Sequence, residues 1–260
     1  MPDANCPRCD GTGWRPVERG VVSGVEPCEC QRSGRPARLM EASRIPPRFQ
    51  EACFENFSLP EREHNPVANE GMTQVMLQAK GYVRDYPPAE KPGLLFMGPP
   101  GVGKTHLAAA VLRLLLDRGF EGIFWDYQDL LERIRSSFDP AAGAGSREAY
   151  QAALDVEILL LDDLGARRAA EWVEDAVTGI VNHRYNERKA TIVTTNLPDP
   201  AAGDATVEKR EEGSVSRYSF KDTLADRIGA RARSRLFEMC KLVRIPISED
   251  YRLRGLKRTE

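Results

Sequence analysis

Gly93-Leu94-Leu95-Phe96-Met97-Gly98-Pro99-Pro100-Gly101-Val102-Gly103-Lys104-Thr105 (93–105) is the stretch whose reading decides the fold. GLLFM (93–97) is a short apolar run closed by Gly and Pro, which predicts a buried strand. KTHLAAAVLRLLLDRG (104–119) consists of good helix formers and stops at Gly119, which predicts a helix. Between them Gly98, Pro99, Pro100, Gly101, Val102, Gly103, Lys104 and Thr105 fit the Walker A pattern without a gap, in the strand–loop–helix setting that the pattern needs. Its glycines let backbone N–H groups turn inward around phosphate oxygens, and the helix N-terminus adds partial positive charge. Lys104 is expected to reach the β- and γ-phosphates of ATP, and Thr105 to ligate Mg²⁺. His106 closes the candidate cofactor-binding stretch, although facing its helical neighbours is the ordinary role at that position. A glycine-rich turn that merely caps a helix is the competing reading, and the full motif in this context argues against it.

Outward from that loop the chain alternates strand and helix. Val67, Val75, Leu77, Ala79 and Val83 suggest a helix before Pro87. GIFWDY (122–127) reads as a strand, YQDLLERIRSSF (127–138) as a helix and DPAAGAGS (139–146) as a loop. VEILLLDD (156–163) reads as a buried strand. Trp172, Val173, Ala176, Val177, Ile180 and Val181 recur at helical spacing over about 169–188. ATIVTTN (190–196) is a further strand. Leu197 to Phe220 is polar with Gly and Pro, a loop whose role the sequence does not assign. A helix is expected over 222–240 and a last strand at KLVRIPI (241–247). Strands alternating with helices imply an α/β fold, a parallel sheet flanked by helices on both faces.

Ile158-Leu159-Leu160-Leu161-Asp162-Asp163 is a Walker B pattern, a buried strand that delivers carboxylates at its C-terminal end, the edge where parallel sheets bind ligands. Asp162 is expected to hold magnesium, directly or through water. Asp163 stands where a group polarising the attacking water is wanted. Many P-loop ATPases carry Glu there, and the shorter Asp suits a slow switch better than a motor. A helix-capping Asp-Asp-Leu-Gly is the alternative. Farther on, Arg227, Arg231 and Arg235 are four residues apart, so one helix would carry them along one stripe. A row of guanidiniums invites a neighbour's γ-phosphate or a nucleic-acid backbone. A solvated basic face, partly balanced by Asp222, Asp226 and Glu238, is the plainer reading.

Residues 1–35 hold too few large apolar side chains to bury a core, so they need a cross-link or a metal to fold. Cys6-x₂-Cys9 and Cys28-x-Cys30 form two close pairs 18 residues apart. Two such knuckles can offer four thiolates to one tetrahedral zinc, and Gly11 and Gly13 allow the tight turn. An iron–sulfur cluster or disulfides are the alternatives. Cys53 and Cys240 are expected to be core thiols. Pro36, Pro46, Pro47 and Pro60 preclude long helices in a connector over 36–64, and Ile45, Phe49, Phe54 and Phe57 are expected to dock it on the following domain. The formal charge of −2 gives no global sign of a polyanion partner. MPDANCPRCDG lacks the basic-then-apolar pattern of an export signal, and no apolar run approaches membrane-helix length, so a cytoplasmic protein without a membrane is expected.

In order, IPPRFQEACFENF (45–57), GLLFMGPPGVGKTHLAAAV (93–111), ILLLDDLGA (158–166), TIVTTNLP (191–198), RARSRLFEMC (231–240) and EDYR (249–252) resemble the DnaC/IstB-type AAA+ ATPases over residues 45–253. The N-terminal module is similar to that of DnaC/DnaI-like helicase loaders, whose N-terminal domain grips the replicative helicase. The resemblance implies three units: a zinc-binding module (1–35), a connector (36–64) and an AAA+ ATPase domain (65–260). With 25 residues after Arg235, it implies no C-terminal helical lid. It places sensor 1, which orients the lytic water, at Asn196, with Thr195 second; a turn-initiating Asn is the alternative. It matches Arg231 and Arg235 to the family's C-terminal arginines, Arg235 as arginine finger, and so implies self-association through the ATPase domain. The implied function is ATP-dependent loading of a hexameric replicative helicase onto single-stranded DNA. An IstB-like transposition helper, a small-molecule phosphotransferase and a non-catalytic nucleotide-gated adaptor are the competing functions.

Overall fold

The computed structural model describes residues 6–19, 22–30, 34–136, 145–166, 171–203, 222–246 and 250–251. An antiparallel hairpin, β1 (Trp14–Arg19) and β2 (Val22–Pro27), stands at the N-terminus. A short helix α1 (Arg35–Ala42) and a 3₁₀ turn (Pro47–Phe49) lead to α2 (Pro66–Arg84). Then come β3 (Gly93–Met97), α3 (Lys104–Asp117), β4 (Gly122–Asp126), α4 (Tyr127–Ser136) and α5 (Gly145–Asp155). The chain continues through β5 (Ile158–Asp162), α6 (Glu171–Asn186) and β6 (Ala190–Thr195) to α7 (Leu224–Ile228), α8 (Ala230–Met239) and β7 (Cys240–Arg244). Among the described residues no α-helix follows β7, and no helix is long and apolar enough to cross a membrane.

β3 to β7 form one parallel sheet in the order β4-β5-β6-β3-β7. Successive side chains of a strand point to opposite faces. Leu94 and Phe96 of β3 therefore enter one core with α2, α3 and the connector, while Leu95 and Met97 enter the other with α4, α5, α6 and α8. Ile158 and Leu160 against Leu159 and Leu161 divide the same way along β5. Helices cover both faces, which is why these strands read as continuous apolar runs instead of alternating ones. This is the expected α/β fold.

The connector is built into the first core. Ile45 and Phe54 are buried there, and Phe49 and Phe57 pack against it as expected. The Phe124 N–H donates to the Ser43 carbonyl at 2.7 Å, and the Arg113 guanidinium donates to the Ala52 carbonyl at 2.7 Å, so the segment is laced to β4 and α3. Cys240 is buried as expected, whereas Cys53 is half-buried.

Two local expectations change. Residues 145–155 form a helix that pairs with α4, although the Gly- and Ala-rich run before it reads as loop. The single helix expected over 222–240 is two, divided at Gly229, whose φ of 82° and ψ of 147° break the ladder. The left-handed backbone angle at Gly229 favours glycine there, beside the exposed and flexible Glu174 carboxylate. Arg227 is thereby separated from Arg231 and Arg235. Residues 137–144, 167–170, 204–221, 247–249 and 252–260, which take in the end of the expected 127–138 helix, most of the expected loops, the start of the 169–188 helix and the end of the 241–247 strand, lie outside the described residues.

Candidate functional site

The strand order puts β6 between β3 and β5, so the Walker A loop, the end of β6 and the Asp162-Asp163 turn meet at one C-terminal sheet edge. Gly103 caps α3 from the left-handed region at φ 92°. A Cβ there would stand 2.5 Å from the Phe57 ring, so only glycine permits both the turn and that contact. Lys104 is 6% exposed. Its ammonium donates to the carbonyls of Gly98 at 2.9 Å and Pro99 at 2.6 Å, folded back along the loop it would share with a phosphate. The N–H groups at the start of α3 have no intrahelical partners and suit an anion.

Thr105 donates its hydroxyl to Asp162 Oδ2 at 3.1 Å, tying the loop to the end of β5. Asp162 Oδ1 accepts from the Thr194 hydroxyl at 2.6 Å, and that same hydroxyl accepts from the Asp163 N–H at 2.9 Å. Thr194 thus holds the Asp162 carboxylate and the Asp163 backbone, a role that no motif signals, because it reads as one β-branched residue among several. Burial pushes the Asp162 carboxyl above the usual carboxylate range, and the hydroxyls of Thr194 and Thr105 offset only part of this. A divalent cation would stabilise the charged form. Asp162→Asn is expected to raise the melting temperature of the metal-free chain at neutral pH, since it removes a buried charge; a lower melting temperature would contradict this account.

Asp163 sits at φ 55°, a left-handed conformation that Asp tolerates better than most residues. Its carboxylate accepts a short hydrogen bond from the Asn196 amide, so the structure brings together the two residues expected to manage the attacking water. Thr195 instead donates to the Leu164 carbonyl at 2.8 Å and serves the turn. His106 Nε2 lies 2.9 Å from the Cys53 carbonyl and its ring packs edge-on to Phe57, so it faces the connector. Beside the loop, a cavity of about 260 Å³ is lined by Asn56, Phe57, Ser58, Pro60, Gly103 and Tyr251. The Tyr251 N–H donates to the Gly101 carbonyl at 3.0 Å. Only folding brings Phe57 and Tyr251 to one cavity, so spacing cannot reveal them as a pair.

The arginines separate. Arg227 pairs with Asp222 at 2.8 Å and reaches the Gly165 carbonyl at 3.4 Å, beside the Walker B turn. Arg231 is exposed, and the Arg235 guanidinium lies 5.7 Å from the Tyr185 ring on α6.

At the N-terminus the hairpin returns Cys28 and Cys30 to Cys6 and Cys9, and their four sulfurs lie within 4.8 Å of one another. Cys6 and Cys28 are 3.8 Å apart, Cys9 and Cys30 3.5 Å. All four thiols are free, which sets the disulfide alternative aside. Four sulfurs about 2.3 Å from a tetrahedral ion stand about 3.8 Å apart, so the cluster fits a metal. Burial acts to raise the Cys9 pKa, but the Gly13 N–H at 3.2 Å and the neighbouring thiols outweigh it and bring it to about 7, favouring the thiolate that a metal needs.

Comparison with known proteins agrees with this geometry. The family model described as "IstB-like ATP binding protein" matches residues 71–208, from α2 to beyond β6. The replicative helicase loader DnaC of Escherichia coli (strain K12) is 25% identical over 179 residues, 69% of each chain. The uncharacterized protein YdaV of the same strain is 28% identical over 188 residues, 71% of each. Among solved structures, a DnaC helicase loader superposes with a TM-score of 0.58 at 29% identity, over 77% of this chain and 100% of that one. DnaI superposes at 0.56 with 21% identity, over 81% and 98%, a likeness of fold. With a match over more than half its length, the chain belongs to the family of IstB-like ATP binding proteins, and it is homologous to the DnaC helicase loaders.

Proposed function

We propose that the chain is an ATP-dependent loader that places a hexameric replicative helicase on single-stranded DNA in the cytoplasm. The observation that carries this reading is the likeness to the DnaC helicase loader, which spans 69% of both chains. The sheet edge would hold ATP and Mg²⁺. Backbone N–H groups of Gly98–Thr105 and the Lys104 ammonium bind the phosphates, Thr105 and Asp162 hold the metal, and the base lies in the cavity between Phe57 and Tyr251. Asp163, held by Asn196, takes up the proton-bearing side of the attacking water. Bound Mg²⁺ would supply charge neutralisation on the phosphates. Arg235, with Arg231 beside it, faces a neighbouring subunit's nucleotide, so hydrolysis needs self-association.

The unit over 1–35 binds zinc through Cys6, Cys9, Cys28 and Cys30 and docks on the helicase, with 36–64 joining it to the ATPase unit over 65–260. Exposed Trp14, Pro16, Val25 and Pro27 share one face of the hairpin and supply an apolar contact surface. The test is co-elution with the replicative helicase of the same cell on gel filtration, beside elemental analysis. About one zinc per chain is expected. Cys6→Ser is expected to lose the zinc and the co-elution but to keep nucleotide binding. A wild-type chain that elutes apart from the helicase at micromolar concentration would count against the loader. The second reading, an IstB-like transposition helper, is favoured by the family match itself; co-elution with a transposase instead of a helicase would select it.

A further inference from the structure

Asp199 lies three residues beyond Asn196, where the chain leaves β6, and is 2% exposed. Its two carboxylate oxygens accept from Arg233 in a fork, Oδ2 from Nε at 2.6 Å and Oδ1 from Nη2 at 2.7 Å. Oδ1 also accepts from the Ala202 N–H at 3.1 Å, and the guanidinium lies 4.4 Å from the Phe237 ring. A second tie joins the same segment to α7, the Leu224 N–H donating to the Pro198 carbonyl at 3.1 Å.

Arg233 stands two residues from Arg231 and from Arg235. Two residues are about 200° around a helix, so Arg231 and Arg235 lie together on the side of α8 away from Arg233, Arg231 exposed and Arg235 half-buried beside the Tyr185 ring. A buried carboxylate is costly unless fully paired, and a two-point fork fixes direction as well as distance. Gly229 divides α8 from α7, and α8 is held by Ala232, Leu236 and Met239 in the core, by the Tyr185 hydroxyl of α6 donating to Glu238 at 2.7 Å, and by this fork, its one bidentate tie among the described residues. Apolar side chains allow small rotations that a bidentate pair does not.

We propose that Asp199 and Arg233 are the positioning pair of the α8 arginines, setting the angle at which Arg235 meets the nucleotide of a neighbouring copy of this chain. The proposal rests on the trans role of Arg235 given above. Asp199 then acts on the neighbour's site and not on its own, although it is close in sequence to Asn196. Misplacing a catalytic group by about 1 Å costs on the order of 100-fold in rate.

Mixing variants tests this. Asp199→Asn keeps the shape of the side chain and removes the fork's charge. Alone it is expected to bind ATP with affinity near wild type and to lose roughly 100-fold in turnover. Mixed with Lys104→Ala, which lacks a phosphate site but retains its finger, it is expected to regain activity. Mixed with Arg235→Ala it is expected to stay inactive, since both lack a placed finger. Recovery with Arg235→Ala and not with Lys104→Ala would overturn the proposal and move Asp199 into its own subunit's site. Unchanged turnover of Asp199→Asn would overturn it as well. The reference mixture of Lys104→Ala with Arg235→Ala separates the underlying reading: no recovery there removes the trans finger and this proposal with it. Recovery there, without recovery of Asp199→Asn by Lys104→Ala, removes the proposal alone. Should Asp199→Asn melt early, Arg233→Lys, which keeps the charge but loses the fork, enters the same mixtures with the same expectations.

Discussion

Lys104→Ala is expected to reduce ATP turnover by at least about 100-fold, the scale of removing one preorganised charged donor from developing phosphate charge. The ammonium lies against the Gly98 and Pro99 carbonyls, at the mouth of the loop where phosphates would enter. The loop's N–H groups survive the substitution, but their partial charges do not replace a full cation next to the phosphates. The loss should also appear without catalysis. A ligand at 100 times its Kd stabilises the folded chain by about 2.7 kcal/mol, so Mg-ATP should raise the melting temperature of the wild type and leave Lys104→Ala nearly unmoved. A variant that melts as wild type without nucleotide, yet gains the full shift with it, would place the phosphates elsewhere.

Arg184→Leu is expected to produce the largest loss of stability, on the order of 4 kcal/mol, or roughly 10 °C in melting temperature for a domain of this size. Arg184 is fully buried near the end of α6. Its guanidinium donates to the carbonyls of Ala153, Leu154, Val156, Glu157 and Ala190 and to the Thr191 hydroxyl, at 2.6 to 3.2 Å. One side chain so closes the end of α5 and the starts of β5 and β6. Burial pushes its pKa down to about 10, which leaves it charged at neutral pH. Leucine fills part of the volume but strands those carbonyls without donors, and a stranded buried polar group costs about 1–3 kcal/mol. Arg184→Lys, with one compact ammonium, should fall between. Thermal melts of the three chains check the order; a Leu variant as stable as wild type would contradict the account.

What could be read in advance follows from how local each signal is. The 93–105 stretch is contiguous, and one loop carries both its turn and the residues expected to meet phosphate, so the sequence alone locates the strand, the loop and the start of the helix at Lys104. Asp162 and Asp163 are legible for the same reason, and the four cysteines because few other residue types at that spacing have a purpose in so small a module. Thr194 is not legible, since its contact with both aspartates arises only because β6 lies beside β5. Arg184 reads as one more charge on an amphipathic helix, and only tertiary packing turns it inward. The apolar spacing from Leu224 to Met239 runs straight through Gly229 as if the helix were unbroken, which masks the separation of Arg227 from Arg231. For Thr194 and Arg184 the deciding contact joins parts of the chain that periodicity treats as independent, and at Gly229 it is a backbone angle that periodicity does not register.

The most direct test of the loader reading uses closed circular single-stranded DNA, on which a hexameric ring cannot thread from an end. The cell's replicative helicase, the full chain and Mg-ATP are combined, and helicase retained on the circle after a high-salt wash is measured. The account predicts retention that depends on the chain and on ATP and is lost with Lys104→Ala. Retention that is the same with and without the chain, under conditions where its ATPase is active, would contradict it.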